Sequence, residues 1–137
     1  MSVIQTASDL IKRHEKLVLR EYTDTTGNRT IGWGRNITAK GISEDEAELM
    51  FKNDFAEVEN DLIKNIPWIV TLSENRQSAL LDMCFNLGIH GLLEFKEMLS
   101  HIHEGNFEFA SQCMRASKWS NQVHGRCDDD AFLIEKG

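Results

Sequence analysis

The stretch HEKLVLREYTDTTGNRTIGWGR, residues 14–35, decides the fold. Leu10, Ile11, Leu17 and Val18 recur at helical spacing, which predicts a helix from Ser8 to Leu19 carrying Glu15. Thr6 or Ser8 is suited to cap that helix, and Asp9 falls in its first turn, where the helix dipole favours negative charge. Glu21 and Tyr22 then mark a change to extended chain. Thr25-Thr26-Gly27-Asn28 is turn chemistry, because Gly and Asn tolerate positive φ. Arg29 to Trp33 is the return strand, and a short third strand is expected near Asn36 to Thr38. A helix-borne carboxylate, Glu15, is thus followed closely by a hairpin carrying Asp24 and Thr30.

Working outward, the rest of the chain reads as helices. Ser43 and Glu46 form a capping box, and Phe51, Phe55, Val58 and Leu62 continue its helix to about Asn65, before Pro67 forbids continuation. Leu72-Ser73-Glu74 starts another helix that buries Ala79, Leu80, Met83, Cys84 and Leu87 and stops at Gly88. Further helices are expected over Leu92 to His103 and Phe107 to Met114. A last one should begin near Arg126 or Asp128 and end at Lys136.

Bulk properties narrow the class. A chain of 137 residues fits one domain, with room for two lobes sharing a core. Net charge is −7, with no basic patch, which speaks against a nucleic-acid binder. No apolar run approaches the ~20 residues a membrane span needs, so no membrane insertion is expected. The first residues show no basic start with an apolar core, so no signal peptide is expected. Cys84, Cys113 and Cys127 are odd in number and widely spaced, which suits reduced thiols. Ile31-Gly32-Trp33-Gly34 lacks the third glycine and following helix of a phosphate loop. His90, His101, His103, Cys113 and Cys127 match no zinc-ligand spacing. Neither a metal nor a cofactor is expected.

The two carboxylates remain. On the helix, Glu15 falls at the margin of the apolar stripe, where partial burial would favour the protonated acid. Asp24, in a polar turn, should stay ionised. Two carboxyls pushed apart in pKa are what glycoside cleavage needs: one protonates the leaving oxygen, the other orients water or meets the sugar cation. The Thr30 hydroxyl is placed to hold that water. Each residue also has a plain structural role available. Glu15 can pair with Lys12 or Arg20, Asp24 can bond its own turn, and Thr30 can fill a strand.

The helix with Glu15, followed by Asp24, Gly27 and Thr30-Ile31-Gly32-Trp33-Gly34, resembles the catalytic segment of the phage-type lysozymes, which cleave bacterial peptidoglycan. The likeness continues through RQSALLDMCFNLG at 76–88 and SKWSNQVHGR at 117–126. It implies an α+β, mostly helical fold with a single domain over 1–137. A small N-terminal lobe (about 14–50) holds a short antiparallel hairpin sheet, a long helix (about 43–65) links it onward, and a helical C-terminal lobe (about 66–137) takes in the first helix as well. By the same likeness Glu15 is the proton donor, Asp24 its partner carboxylate and Thr30 the water-positioning residue. Arg35, Asn36, Phe85 and Asn86 are taken as sugar-binding residues. Arg126 is expected to pair with the catalytic glutamate, and Trp119 to pack near that junction.

The implied activity is hydrolysis of the β-1,4 bond between N-acetylmuramic acid and N-acetylglucosamine, with peptidoglycan strands as partner. A monomer is expected, made in a host cytoplasm and released to the wall by a separate pore protein. The alternatives are a catalytically idle wall-binding protein of the same fold and a lytic transglycosylase; Asp24 and Thr30 argue for hydrolysis by water. Three departures from the family pattern stand out. Lys16 occupies the position that usually holds Gly after the glutamate, Arg35 stands where His is common, and Asp128-Asp129-Asp130 sits in a region that is usually basic. At −7 the chain should be repelled by an anionic polymer, unless Arg29, Arg35 and Arg126 make the site itself positive.

Overall fold

The computed structural model describes residues 3–137; the first two residues, on which part of the reading of the N-terminus rests, lie outside it. The described residues form eight α-helices and one three-stranded antiparallel sheet, the α+β, mostly helical architecture the sequence implies. Two compact units divide the chain, Met1–Met50 and Phe51–Gly137.

In the first unit, helix α1 spans Val3–Glu15, and strand β1 follows at once as Val18–Thr23. The helix therefore starts and stops earlier than the apolar spacing predicts, and Thr6 and Ser8 lie inside it instead of capping it. Leu17, Val18 and Leu19, read as its last turn, belong to the linker and the strand. A short apolar run suits either conformation, so periodicity alone cannot place this boundary. What ends α1 is Lys16. It is the only non-glycine residue at positive φ (60°) among the described residues, and its amide donates to the Lys12 carbonyl at 2.9 Å. That is a left-handed C-terminal cap, the conformation glycine adopts without strain, so the family's usual glycine at this place has a physical reason. Helix α1 falls within the first unit, together with the sheet.

Strands β2 (Arg29–Gly32) and β3 (Arg35–Asn36) complete a sheet ordered β1-β2-β3. Tyr22 pairs with Thr30 and Thr23 with Arg29, while the register slips between Val18 and Tyr22. The third strand is shorter than predicted. Asn36 accepts from the Ala39 amide at 3.0 Å and starts a one-turn helix, α2 (Ile37–Lys40), where extended chain was expected to Thr38. Helix α3 (Glu44–Asn65) opens on the predicted capping box: the Ser43 amide donates to Glu46 Oε1 at 2.8 Å, and the Glu46 amide donates to Ser43 Oγ at 3.2 Å.

The second unit holds the apolar core. After α3 and a 3-10 turn at Pro67–Thr71 come α4 (Glu74–Leu93), α5 (Lys96–Glu104), α6 (Phe107–Arg115), α7 (Lys118–Gln122) and α8 (His124–Lys136). α4 starts where Leu72-Ser73-Glu74 predicts, with Ser73 as its cap, and Gly88, at φ 76° and ψ 162°, breaks it before helix resumes. The short helix α7, capped by Ser117, occupies a segment read as irregular. Leu62, Leu80, Met83, Leu92, Met98, Ile102, Met114 and Ile134 are fully buried together. Cys84 and Cys127 are buried and unbridged, and burial pushes both thiols up.

Candidate active site

The first unit builds its polar centre from one turn and one helix end. Asp24 Oδ1 accepts from the Thr26 amide (2.9 Å), the Thr26 hydroxyl (2.8 Å) and the Asn28 amide (2.8 Å). The Asp24 amide in turn donates to the Asn28 carbonyl at 2.8 Å, closing the turn. These donors, Asn28 foremost and then Thr26, hold the Asp24 carboxyl below the usual value, so it stays ionised as the sequence reading expects. One oxygen does all the structural work, and Oδ2 takes no protein hydrogen bond among the described residues.

Glu15 is the last residue of α1. Its carboxyl lies against the Cα of Gly34, on the turn between β2 and β3. A Cβ at residue 34 would stand 2.6 Å from Glu15 Oε2 and 2.8 Å from Cδ, and Gly34 itself is at φ +75°. Glycine is required there twice, for its conformation and for the carboxyl's approach. Neither Lys12 nor Arg20 pairs with Glu15; Lys12 sits instead over the Trp33 ring, 4.5 Å from its centroid. The partial burial expected of Glu15 is not found, because the helix ends at this residue and leaves its side chain exposed.

Thr30, on the central strand, is 4% exposed, and its hydroxyl donates to the Asn28 carbonyl at 3.2 Å. The proton is thereby used, and the oxygen's lone pairs remain to accept from a water. Thr30 shares Asn28 with Asp24: the residue whose amide feeds the carboxylate also receives the hydroxyl.

Two of the residues taken as sugar-binding, Arg35 and Asn36, make structural contacts within the first unit. Arg35 makes a two-pronged pair with Glu46 (2.9 and 2.7 Å) and donates to the Gly41 carbonyl at 3.1 Å, pinning the start of α3. That pairing, ahead of the Ser43 contacts, holds Glu46 down at about 2. Asn36 spends its side-chain oxygen on the α2 cap. Arg29 is paired as well, with Glu21 at 3.2 Å.

In the second unit, Trp119 is buried and its Nε1 donates to Asn86 Oδ1 at 2.7 Å. Phe95 meets the Trp119 ring edge-on, with centroids 6.5 Å apart. Phe85 is 41% exposed and lines an open cavity of about 320 Å³ with Phe51, Phe55, Leu81 and Asp82. Arg126 borders the same cavity. Its guanidinium is gripped by Asp82, Nε to Oδ2 at 2.9 Å and Nη2 to Oδ1 at 2.7 Å, a bidentate pair with a carboxylate of its own unit. Arg29, Arg35 and Arg126 are each matched by an acid of their own unit.

The sequence profile of the phage lysozyme family matches residues 12–128, which takes in the α1 end, the hairpin and every helix up to the start of α8. The chain belongs to the phage lysozyme family. Its relatives include the pre-baseplate central spike protein Gp5 of Enterobacteria phage T4, 28% identical over 95% of this chain. The chain spans only 28% of that protein's length. Probable T4-type lysozyme 1 of Dictyostelium discoideum is 27% identical over 98% of this chain and 96% of its own. An endolysin of Acyrthosiphon pisum secondary endosymbiont phage 1 is 29% identical over 93% of this chain and 86% of its own. Membership gives the chemical class, lysozyme-type hydrolysis of cell wall.

Within this family member, Asp82, Glu46 and Asp130 escaped the sequence reading. Glu46 was visible as half of a capping box, but its second role as the Arg35 partner carries no local signal. Asp82 lies 44 residues from Arg126, and nothing in the spacing links them.

Proposed function

We propose that the chain hydrolyses the β-1,4 bond between N-acetylmuramic acid and N-acetylglucosamine in bacterial peptidoglycan, with Glu15 as general acid, Asp24 as the ionised partner and Thr30 seating the water. The observation that carries the reading is the division of labour between the two carboxyls of the first unit. Asp24 is locked and ionised by its own turn, with one oxygen left over. Glu15 is held by no such network and is given room by Gly34. A sugar covering Glu15 would displace water from its carboxyl and supply on binding the burial the free protein lacks. Asp24 Oδ2 then steers or stabilises the reacting centre, and Thr30 Oγ1 accepts from the water. Phe85 and Asn86 serve as sugar contacts, the Asn86 side chain being oriented by Trp119. The protein acts as a monomer on the wall after release from the host cytoplasm by a separate pore protein.

Product analysis tests this reading. Purified peptidoglycan digested by the protein should yield fragments with free N-acetylmuramic reducing ends, one water being added to the pair of products for each bond cleaved. Anhydro-sugar ends would show a transglycosylase, and binding without fragments would show an idle wall-binding protein.

A further inference from the structure

Asp130 is 3% exposed, the most deeply buried carboxyl in the protein, and its Oδ2 has no hydrogen-bond partner. It lies one helical turn after Arg126 on α8, so both side chains project from one face of that helix toward α4. There Asp82 already receives both prongs of Arg126, whose Nη2 also donates to the Asp82 carbonyl at 3.2 Å. One cation therefore faces two acids.

Among the described residues no second cation is at hand. Asp82 from α4, and Arg126 and the like-charged Asp129 from α8 itself, are the charged groups acting on Asp130. From α6, Arg115 is turned to Asp128 and Glu135, while Glu108 is exposed; on α7, Lys118 is exposed. His124 pairs with Asp128, and Arg76 on α4 is spent on the carbonyls of Ile134 and Glu135. The neighbouring Cys127 is a buried thiol pushed up by its surroundings and brings no positive charge.

As a carboxylate, Asp130 leaves its Oδ2 an acceptor with nothing to accept. A carboxylic acid is a donor, and Asp82, whose carboxyl interacts with that of Asp130, is an acceptor. We propose that Asp130 carries a proton in the neutral protein and donates it to Asp82, so that Arg126, Asp82 and Asp130 form a proton-dependent clasp between α4 and α8, which weakens when Asp130 releases its proton to solvent. Burial first and then Asp82 push the Asp130 carboxyl up to about 8, while Arg126 foremost holds Asp82 below its ordinary value.

The sign follows by linkage. An unfolded aspartate titrates near ~3.9, so from there up to about 8 the folded state keeps a proton that the unfolded state gives up. The stabilisation is complete below the lower value and is lost as pH rises through the upper one. Asp82 acts in the opposite direction and below that window, since its stabilisation is lost only as pH falls through its depressed value. The clasp thus makes the second unit firmer in mild acid and looser in mild alkali.

The test compares the native chain with Asp130→Asn, which keeps the shape and a donor to Asp82 but cannot titrate. Thermal melting of the native chain should fall between pH 5 and 9, and Asp130→Asn should remove at least half of that fall. An equal fall in both proteins overturns the proposal. Should the variant not fold, carbon-detected NMR of the native Asp130 carboxyl decides: a titration midpoint above pH 6 supports the clasp, and one below pH 6 overturns it.

Discussion

The two units hold themselves together by different means. Among the described residues from 4 to 50 only Thr30 is buried, and order comes from hydrogen-bonded turns, glycines at positive φ and arginine–carboxylate pairs. From Phe51 onward a continuous set of Leu, Met and Ile side chains is excluded from water, with polar staples added at Arg76, Arg126 and Trp119. The proposed catalytic residues stand in the first kind of structure. A site built from local hydrogen bonds positions carboxyls without burying them, so charge can be changed there with little loss of stability. In the second unit the same kind of change meets a buried partner.

Substituting Asp24 by Asn is the sharpest way to separate the two. Asparagine keeps the side-chain oxygen that accepts from Thr26 and Asn28, so melting should hardly move. Lysis should fall on the order of 10³-fold, since the charge is gone. A large drop in melting would show that the turn depends on the charge itself. Gly34→Ala comes next: a methyl group there occupies the space of the Glu15 carboxyl. Glu15 has a flexible end and can move aside, so stability should fall only by the cost of positive φ, ~1–2 kcal/mol. Activity should fall roughly 10²-fold, as expected for a catalytic group moved by about 1 Å. Equal activity in Gly34→Ala and native protein would mean the contact has no catalytic meaning.

In the second unit the expectation reverses toward stability. Arg126→Ala strips both Asp82 and Asp130 of their shared cation. The pair is partly exposed, so the cost is discounted to about 1–2 kcal/mol. Chemical denaturation reads this directly, and an unchanged midpoint would show that water replaces the arginine without loss. The smallest effect is a gain. Lys16→Gly relieves a left-handed lysine and should raise stability by about 1 kcal/mol, less the entropy glycine adds to the unfolded chain. A fall in melting would show that the Lys16 side chain contributes more than its strained backbone costs.

What could be read from the sequence follows the same division. Local chemistry was legible: the turn from Asp24 to Asn28, the Ser43–Glu46 capping box, the end of α3 before Pro67, the Ser73 cap and the break at Gly88 all appear where residue type demands them. The α1–β1 boundary was not, because Leu17-Val18-Leu19 satisfies a helix and a strand equally and the deciding event is a backbone conformation at Lys16. Helices α2 and α7 were too short to show a period. The partners of Arg35 and Arg126 stand 11 and 44 residues away, and no helical or strand repeat connects such distances. Glu15 was legible by its motif, though its surroundings were not; the desolvation inferred from a helical wheel vanished once the helix ended at that residue.

The central claim is that Glu15 supplies the proton for glycosidic cleavage from an exposed, weakly held position. The most direct measurement is the initial clearing rate of outer-membrane-permeabilised Gram-negative cells by native protein and by Glu15→Gln, with melting recorded for both. Native protein should clear the suspension, and Glu15→Gln should lose at least ~10³-fold in rate with its melting unchanged. Clearing by Glu15→Gln at the native rate, or none by native protein across a pH and salt series, would contradict the account.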